Sequence, residues 1–394
     1  MRILTRYVLI EFLKVFLLTL GGMTLIIFFF GIIDRAIKEG LGPSQLAQLA
    51  PYLLPEALRF AVPGTVLFAV CSLYGRMAGS NEVVAIKSLG ISPLSIQWPV
   101  FALAFLLSLG TVWLNDLAVS WGRNGARQVV LEAIDEIVYG MLRTQRSYSS
   151  DKFAINVKRI EGRQLIQPTI SFQSSAKSPA ITIRAKSAEL RADPGANVLV
   201  VSCREAMLEY EGGVSSFVDR FDQEIPLEDA RRERDHNWAP SWMPLYQIKE
   251  ELPRHTAEIE QVEREAAVKG AFYLLTGDYA ALANEEFGTA EVVVRTMTRQ
   301  WHRLRTEPHR RWSNGFSCLC FALIGAPMAM RLRNADFLTS FFMCFLPILI
   351  IYYPLLMFFT DRAKDGGLPP YLVWTGNLVL ALWGWVLGYR VWRY

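Results

Sequence analysis

The stretch VFLLTLGGMTLIIFFFGII, residues 15–33, decides the fold because it carries no charged side chain over its whole length. At a rise of about 1.5 Å per residue, roughly 20 apolar residues in a helix cross a hydrocarbon core of about 30 Å. The run is too long for the apolar part of a signal peptide, and no small-residue cleavage site follows it. We therefore interpret it as a membrane helix that the protein retains.

Five further apolar runs have the length of a membrane span, and a polar stretch of nearly half the chain divides the six runs into two groups of three. The five runs cover residues 54–76, 88–115, 312–330, 337–360 and 368–389. Glu56 and Arg59 interrupt only the beginning of the second run. The sequence therefore predicts an α-helical membrane protein with six transmembrane helices (3+3) around one large insert.

The charges that flank these runs predict their orientation. One set of ends is almost purely basic and holds Arg2, Arg6, Lys14, Arg76, Lys87, Arg331, Arg333, Arg390 and Arg393. The opposite short loops, residues 34–39 and 361–365, balance positive and negative charges. Basic loops stay in the cytoplasm, so we expect both termini there and the large insert on the opposite side of the membrane. The net charge of only +4 gives no support for nucleic-acid binding.

The insert changes character along its length. Short alternating segments at residues 153–157, 165–172, 180–183, 198–202 and 206–210 predict a β-sandwich or an open barrel. Residues 241–252 predict a short helix capped by Ser241 and ended by Pro253, and residues 256–275 and 287–305 predict two more helices. The predicted divisions are three membrane helices in 1–119, a β-rich domain in 120–226, a helical segment in 227–311 and three membrane helices in 312–394.

Motifs for catalysis are absent from the sequence. There is no G-x-x-x-x-G-K-[ST] loop for ATP and no G-x-S-x-G turn for a nucleophilic serine, and the four histidines lack zinc-type spacing. We therefore expect neither an enzyme nor a cofactor or metal site. The apolar runs also lack the central ionisable group that an ion-coupled transporter uses. A cavity between such helices suits acyl chains better than ions or sugars.

Three basic residues lie at the predicted outer ends of the first two runs. Arg35 and Lys38 follow the first run, and Arg59 lies near the start of the second. Guanidinium and ammonium groups above apolar walls suit an amphiphile with anionic headgroups, so the three residues are candidate headgroup contacts. The pattern equally suits side chains that simply reach for the membrane interface.

The loop between the second and third runs reads GRMAGSNEVVAIKSLGIS, residues 75–92. Ser80 is placed to cap a short helix, with Glu82 in its first turn and Gly90 at its end. A helix near residues 80–90 that lies between two spans suits docking onto a soluble partner. A simple connector is the alternative interpretation.

This loop resembles the LptF/LptG (YjgP/YjgQ) permease family of the lipopolysaccharide export ABC transporter. The family pattern G-R-L-x-x-x-x-E, continued by an alanine and a G-I-S, matches Gly75, Arg76, Glu82, Ala85 and residues 90–92. A second match is LIGAPM at residues 323–328, and a third is LPP at residues 368–370. The resemblance covers nearly the whole chain, although the helical segment 227–311 is longer than the link that the family normally has.

The resemblance implies a β-jellyroll-like periplasmic domain and a defined set of partners. A second permease of the same type would flank a cavity that takes up lipopolysaccharide. An LptB-like cytoplasmic ATPase dimer would bind the loop helix, which gives Arg76, Glu82, Ala85 and Gly90 a role in coupling to ATP hydrolysis. LptC-like and LptA-like bridge proteins would receive the lipid from the periplasmic domain by strand addition. The resemblance leaves open whether the chain is the F-like or the G-like subunit.

Two other functions remain open at this point. A permease for another lipid or for lipoproteins would be coupled to ATP hydrolysis by a partner ATPase in a similar way. A membrane-anchored assembly or sensor protein would use the outer domain to bind a partner and would move nothing.

Overall fold

A computed structural model describes residues 2–39, 41–132, 139, 142, 146–149, 153–162, 164–172, 181–193, 198–210, 215–226, 240–277, 285–333 and 336–393. The chain divides into two compact units. The helical unit comprises Met1–Phe28, Leu54–Gly122 and Ala239–Tyr394. The sheet unit comprises Phe29–Leu53 and Arg123–Trp238.

Ten α-helices are present in the described residues: α1 Arg2–Glu39, α2 Pro43–Gly79, α3 Glu82–Ser88, α4 Leu94–Leu117, α5 Asn124–Glu132, α6 Leu245–Thr276, α7 Glu285–Arg331, α8 Phe337–Pro347, α9 Tyr353–Lys364 and α10 Thr375–Arg393. Turns of π-helix join α4 to α5 at Ala118–Arg123 and α8 to α9 at Ile348–Tyr352. The second of these lies between Pro347 and Pro354, whose missing N–H groups disturb regular helical hydrogen bonding.

Six helical segments in this part of the chain are long and apolar enough to cross a membrane. They are Ile3–Ile37, Pro43–Gly79, Leu94–Val130, Glu291–Arg331, Phe337–Lys364 and Pro370–Trp392. Each of the six predicted runs falls largely within one of these segments. The predicted arrangement of two groups of three spans is therefore confirmed.

Two buried apolar clusters hold the helical unit together, and α2 and α7 contribute to both of them. Helices α1, α3 and α4 complete the first cluster, whereas α8, α9 and α10 complete the second. Small residues allow the close approach to α7. A Cβ atom on Gly384 of α10 would lie 2.6 Å from the carbonyl oxygen of Leu323. Close backbone packing of this kind joins helices in a membrane, where lipid chains weaken the hydrophobic effect between them.

The sheet unit contains eight antiparallel strands: β1 Ser147–Ser149, β2 Phe153–Asn156, β3 Arg159–Glu161, β4 Gln164–Ile166, β5 Thr169–Phe172, β6 Ile181–Asp193, β7 Val198–Tyr210 and β8 Ser215–Pro226. The order is β1-β2-β5-β6-β4-β3, and β7 pairs with β6 and with β8. Strand β6 organises the sheet, because β5 and β4 pair with successive parts of one edge and β7 pairs along the other. The result is a curled, jellyroll-like half-barrel.

The strand boundaries correct the sequence prediction in three places. Residues 165–172 form two strands because the left-handed backbone of Gln167, φ 48°, bends the chain before Pro168. Residues 198–202 and 206–210 belong to one strand, since β7 passes through Glu205, φ 50°, while it stays paired on both edges. The segment predicted at residues 180–183 continues to Asp193, and β1, β3 and β8 lie outside every predicted segment.

The core of the sheet unit is apolar and includes Ile155, Leu165, Ile170 and Val201. Cys203 is fully buried among these side chains. Burial, with a smaller contribution from the negative charge of Asp222, raises the pKa of the Cys203 thiol to about 11. The thiol is therefore protonated at neutral pH and behaves as an apolar side chain.

The helical segment after the sheet also differs from the prediction. Helix α6 begins at Leu245 after Pro244, without a cap from Ser241, and it continues through Pro253 instead of ending there. Residues 241–252 and 256–275 therefore belong largely to one helix. The third predicted helix, residues 287–305, is confirmed and runs without a break into the fourth span as α7. The charged stretch 228–234 lies outside the described residues.

Candidate functional site

The loop helix α3 lies between the second and third spans and begins at Glu82. Its first residue follows Asn81, whose backbone is left-handed with φ 61°, and no side chain caps the helix. The Ser80 hydroxyl instead lies 2.9 Å from the Arg76 carbonyl oxygen and 3.0 Å from a carboxylate oxygen of Glu82. The prediction that Ser80 caps α3 is therefore wrong, because its hydroxyl turns back to α2 and to the Glu82 side chain.

The other end of α3 is closed as the sequence predicts. Gly90 has φ +73°, its N–H donates to the carbonyl of Lys87, and the N–H of Ile91 donates to the carbonyl of Ile86. This pair of hydrogen bonds is a Schellman motif, which needs a left-handed residue after the helix and therefore favours glycine. A sharp end of this kind fixes the direction in which the chain enters α4.

Hydrogen bonds attach α3 and its surroundings to other helices of the unit. Lys87 Nζ donates to the carbonyl of Val391 in α10 at 2.9 Å. In α4, Gln97 accepts a hydrogen bond of 2.8 Å from the indole N–H of Trp392 and its amide nitrogen lies 3.2 Å from Met330 Sδ. A displacement of α3 would therefore be felt directly by α10 and, through α4, by α7.

One face of α3 is buried and another is exposed. Val83 packs into the first apolar cluster, whereas Val84, Ala85 and Leu89 are exposed, Leu89 by 75%. Arg76, at the end of α2, forms an ion pair of 3.0 Å with Glu11 of α1 and remains half exposed. The exposed residues of α3, with Glu82 and Arg76 beside them, form a small apolar surface with charges at its margin.

The three candidate headgroup residues belong to different parts of the structure. Arg35 lies in α1 within the sheet unit, and Arg59 lies in α2 within the helical unit. The side chain of Lys38 lies outside the described residues. Arg59 is the best defined of the three: its side chain is only 15% exposed, it lies 3.0 Å from Glu56 Oε1, and its guanidinium lies 4.6 Å from the centre of the Phe60 ring.

Arg59 lines a cavity of about 400 Å³ within the helical unit. The polar side chains of its wall come from α2, α4, α7 and the α8–α9 region: Arg59, Asn115, Arg310, Asn314, Ser317, Tyr352, Tyr353, Thr360, Asp361 and Lys364. Three of these groups are cationic and one is a carboxylate. The Thr360 hydroxyl is buried and has no hydrogen-bond partner among the residues that the structure describes. The cavity therefore offers cations and an unused hydroxyl to a polar, anionic group.

A buried ion network borders this cavity. Arg311 is 3% exposed; its Nε lies 3.1 Å from Glu307 Oε1 and its Nη1 lies 3.1 Å from Asp116 Oδ1. Arg310, in the cavity wall, forms a two-pronged contact with the same Glu307 carboxylate. The charges balance within the network, which is the condition under which buried ions are tolerated.

The network also holds the beginning of α6. Arg311 Nη2 donates to the carbonyl of Met243 at 2.6 Å, and Asp116 Oδ1 accepts the N–H of Leu245 at 2.8 Å. Three separate parts of the chain, at the end of α4, in α7 and before α6, are therefore fixed to one guanidinium. The helical segment after the sheet is anchored where the fourth span begins.

Comparison with known families decides the identity of the chain. The sequence model described as lipopolysaccharide export system permease LptF/LptG matches residues 6–390. The chain belongs to the LptF/LptG family. A search among curated protein sequences found no significant match. LptF/LptG proteins are transporter permeases of lipopolysaccharide export, not catalytic enzymes, and the six apolar helices agree with a multi-pass membrane protein.

A second, larger cavity of this LptF/LptG chain is almost entirely apolar. It has a volume of about 820 Å³ and lies between the beginning of α1 and α4, with Leu9, Trp98, Leu103 and Leu106 in its wall. The smaller cavity, lined by Arg59, Arg310 and Lys364, has the more polar wall of the two, and we call it the polar cavity.

Sequence reasoning missed most of the polar cavity and the ion network of the LptF/LptG chain. The notable omissions are Arg310, Arg311 and Glu307, which immediately precede the fourth apolar run. Their spacing of three and four residues was the available signal, because it places all three on neighbouring positions of one helix surface. Asp116, 195 residues away from its partner, gave no such signal.

Proposed function

We propose that this chain is the permease subunit of an ABC exporter that extracts lipopolysaccharide, or a similar anionic glycolipid, from the bacterial inner membrane and passes it to a periplasmic bridge. The observation that carries the proposal is α3: a short helix between two spans, closed by Gly90, with exposed apolar residues and hydrogen bonds to other helices. In a chain of the LptF/LptG family, this surface fits a separate ATPase that supplies the energy.

The coupling step would use the residues around α3. An LptB-like cytoplasmic ATPase dimer would dock on the face that contains Ala85, with Glu82 and Arg76 at its margin, and Gly90 would hold the angle between α3 and α4. The Lys87–Val391 contact and the Gln97–Trp392 contact would transmit the movement to α10 and α4. This placement requires the α3 side of the membrane to be cytoplasmic, which the basic loops support.

The substrate step would use the cationic groups at the other end of the spans. Arg59, together with Arg310 and Lys364 of the polar cavity, would contact phosphate groups, and Arg35 and Lys38 are further headgroup candidates. Guanidinium groups suit this task because they stay charged and bind phosphate through two parallel hydrogen bonds. The acyl chains would remain against the apolar helix surfaces, alongside a second LptF/LptG-type permease that completes the pathway.

The delivery step would use the sheet unit in the periplasm. Among the described strands, β8 pairs only with β7, so its other edge can accept a strand from a neighbouring protein. LptC-like and LptA-like bridge proteins would bind by such strand addition. The lipid would then pass from one curled sheet to the next.

A charge reversal in α3 tests the coupling assignment. We expect Glu82→Lys to weaken co-purification with the ABC ATPase and to lower the ATPase rate of the complex by about tenfold or more, since like charges that face each other across an interface cost several kcal/mol. The matched control is Glu189→Lys, an exposed glutamate of the sheet unit. The assignment fails if Glu82→Lys leaves both the association and the ATPase rate unchanged.

Identification of the lipid distinguishes the remaining functions. Mass spectrometry of the complex after gentle extraction would show a phosphorylated glycolipid under this proposal, whereas a lipoprotein or another lipid would support the neighbouring permease function. An anchored assembly or sensor protein would retain no transported lipid and would stimulate no ATPase.

A further inference from the structure

Helix α7 carries a row of exposed arginines on its part that precedes the fourth span. Arg295, Arg299 and Arg303 are four residues apart, so they lie along one side of the helix, and all three are exposed. At about 1.5 Å per residue, successive guanidinium groups start about 6 Å apart along the axis. We call these three residues the arginine row.

The charges of the arginine row are not taken up by ion pairs in the part of the chain that the structure describes. No ion pair joins any of its three residues to a carboxylate in the described part of the chain. The neighbouring helix α6 behaves differently, because Arg254 pairs with Glu251 and Arg264 pairs with Glu260. Two of the four Lys and Arg residues of α6 are thus paired within their own helix, whereas the charges of the arginine row are available to an outside anion.

The row leads towards the polar cavity. Arg310, which lines that cavity, follows Arg303 by seven residues, close to two helical turns, and therefore lies on the same side of α7. Because α7 is one continuous helix, Arg295 lies about 22 Å along its axis from Arg310. The arginine row and Arg310 therefore lie along one side of α7, with Glu307, which pairs with Arg310 and Arg311, between them.

We propose that the arginine row binds the phosphate and carboxylate groups of the glycolipid's sugar headgroup as the lipid leaves the polar cavity. This inference rests on the proposed function and extends its headgroup site from the cavity to the outer part of α7. Exposed arginines bind such anions individually only weakly, because water competes for both partners. Weak, evenly spaced contacts suit a passage, since the headgroup can exchange one arginine for the next without being trapped.

Photo-crosslinking in the full complex tests the proposal. A photoreactive benzoylphenylalanine replaces Thr296, an exposed residue beside the arginine row, or Phe60 in the wall of the polar cavity. The probes are lipopolysaccharide that carries its phosphates and the same lipopolysaccharide after enzymatic dephosphorylation. With ATP, we expect adducts at both positions, and we expect dephosphorylation to reduce the adduct at Thr296.

A triple variant isolates the contribution of the arginine row. We expect Arg295→Gln/Arg299→Gln/Arg303→Gln to lower the Thr296 adduct by about tenfold, from about a twofold loss per exposed contact, while the Phe60 adduct persists. The matched control, Arg254→Gln/Arg264→Gln/Lys269→Gln, removes three positive charges from α6 of the same hairpin and should leave both adducts unchanged. Added salt should weaken the Thr296 adduct in the parent complex, because exposed charges are screened.

The outcomes separate the two proposals. A Phe60 adduct without a Thr296 adduct overturns the role of the arginine row, and so does a Thr296 adduct that the triple variant or dephosphorylation leaves unchanged. Absence of any ATP-dependent adduct at Phe60 overturns the proposed transport function itself.

Discussion

The two ends of the spans in the helical unit are stabilised by different kinds of contact. Near α3, the contacts are hydrogen bonds to backbone carbonyls, as from Lys87 to Val391 and from Tyr74 to Ile96, and one half-exposed ion pair between Arg76 and Glu11. About 30 Å along α2, near Arg59, the contacts are ion pairs, and Arg311 and Glu307 are almost completely buried. The α3 end can therefore change position by breaking hydrogen bonds and one solvent-screened ion pair, whereas the other end cannot move without separating buried charges.

This difference suits the two tasks that we propose for the ends. A surface that follows a moving ATPase needs contacts that re-form easily, and exposed apolar residues such as Leu89 favour docking. A site that receives an anionic headgroup needs cations whose positions are fixed before the ligand arrives, because ordering mobile side chains on binding costs free energy. The network around Arg311 provides that fixed frame beside the polar cavity.

Removal of Arg311 should give the largest effect. Arg311→Ala would leave the carboxylates of Asp116 and Glu307 with one cation fewer in a buried setting, which costs about 3–5 kcal/mol. We expect a matching fall in the free energy of unfolding, measured by tryptophan fluorescence during detergent-induced unfolding of the purified protein. The start of α6 should also exchange its amide hydrogens faster, since the Met243 carbonyl loses its donor and Asp116, which accepts the N–H of Leu245, loses its cation.

Arg310→Ala is the matched control for this change, because Arg310 contacts the same Glu307 but is partly exposed. Water can replace part of its contact, so we expect a smaller loss of about 1 kcal/mol. Equal losses for the two variants would contradict the distinction between the buried network and the cavity wall.

The spans were predictable because their cause is local. A run of about 20 apolar residues in lipid must satisfy its backbone internally, so its length alone indicates a helix. The helix end predicted at Pro253 was wrong because its outcome depends on tertiary contacts. A proline removes one backbone donor, but the rest of α6 packs along α7, where Trp301 donates to Thr256. The length of β6 and β7 was likewise hidden, because pairing on both edges carries β7 past Glu205.

Within the candidate site, the sequence predicted the local structure correctly only where a backbone conformation requires one residue type. Gly90 is such a position, since the Schellman motif requires positive φ. The choice of Ser80 as a cap failed because its neighbour Asn81 adopts the left-handed backbone before α3. The polar cavity was found only in part, because its cations come from three elements distant in sequence and a single sequence shows no such proximity.

Replacement of Gly90 by alanine should give an intermediate effect at the α3 end. A Cβ atom there meets no other atom, so the cost comes from φ +73° alone, about 1–2 kcal/mol. We expect faster hydrogen exchange in α3 and reduced ATPase stimulation in the complex. Gly75→Ala is the control, because that position is equally open and lies within α2 without a positive φ. If both variants behave alike, the Schellman motif does not set the position of α3.

Replacement of Arg76 should give the smallest change in stability. Arg76 and Glu11 form an ion pair in which the arginine side chain is 51% exposed, so Arg76→Gln should lower the free energy of unfolding by no more than about 0.5 kcal/mol. Added salt should erase even that difference, because exposed charges are screened. The ATPase rate of the complex is measured beside stability. If the rate falls although stability barely changes, Arg76 contacts the ATPase. If neither changes, the docking surface is formed by α3 without Arg76.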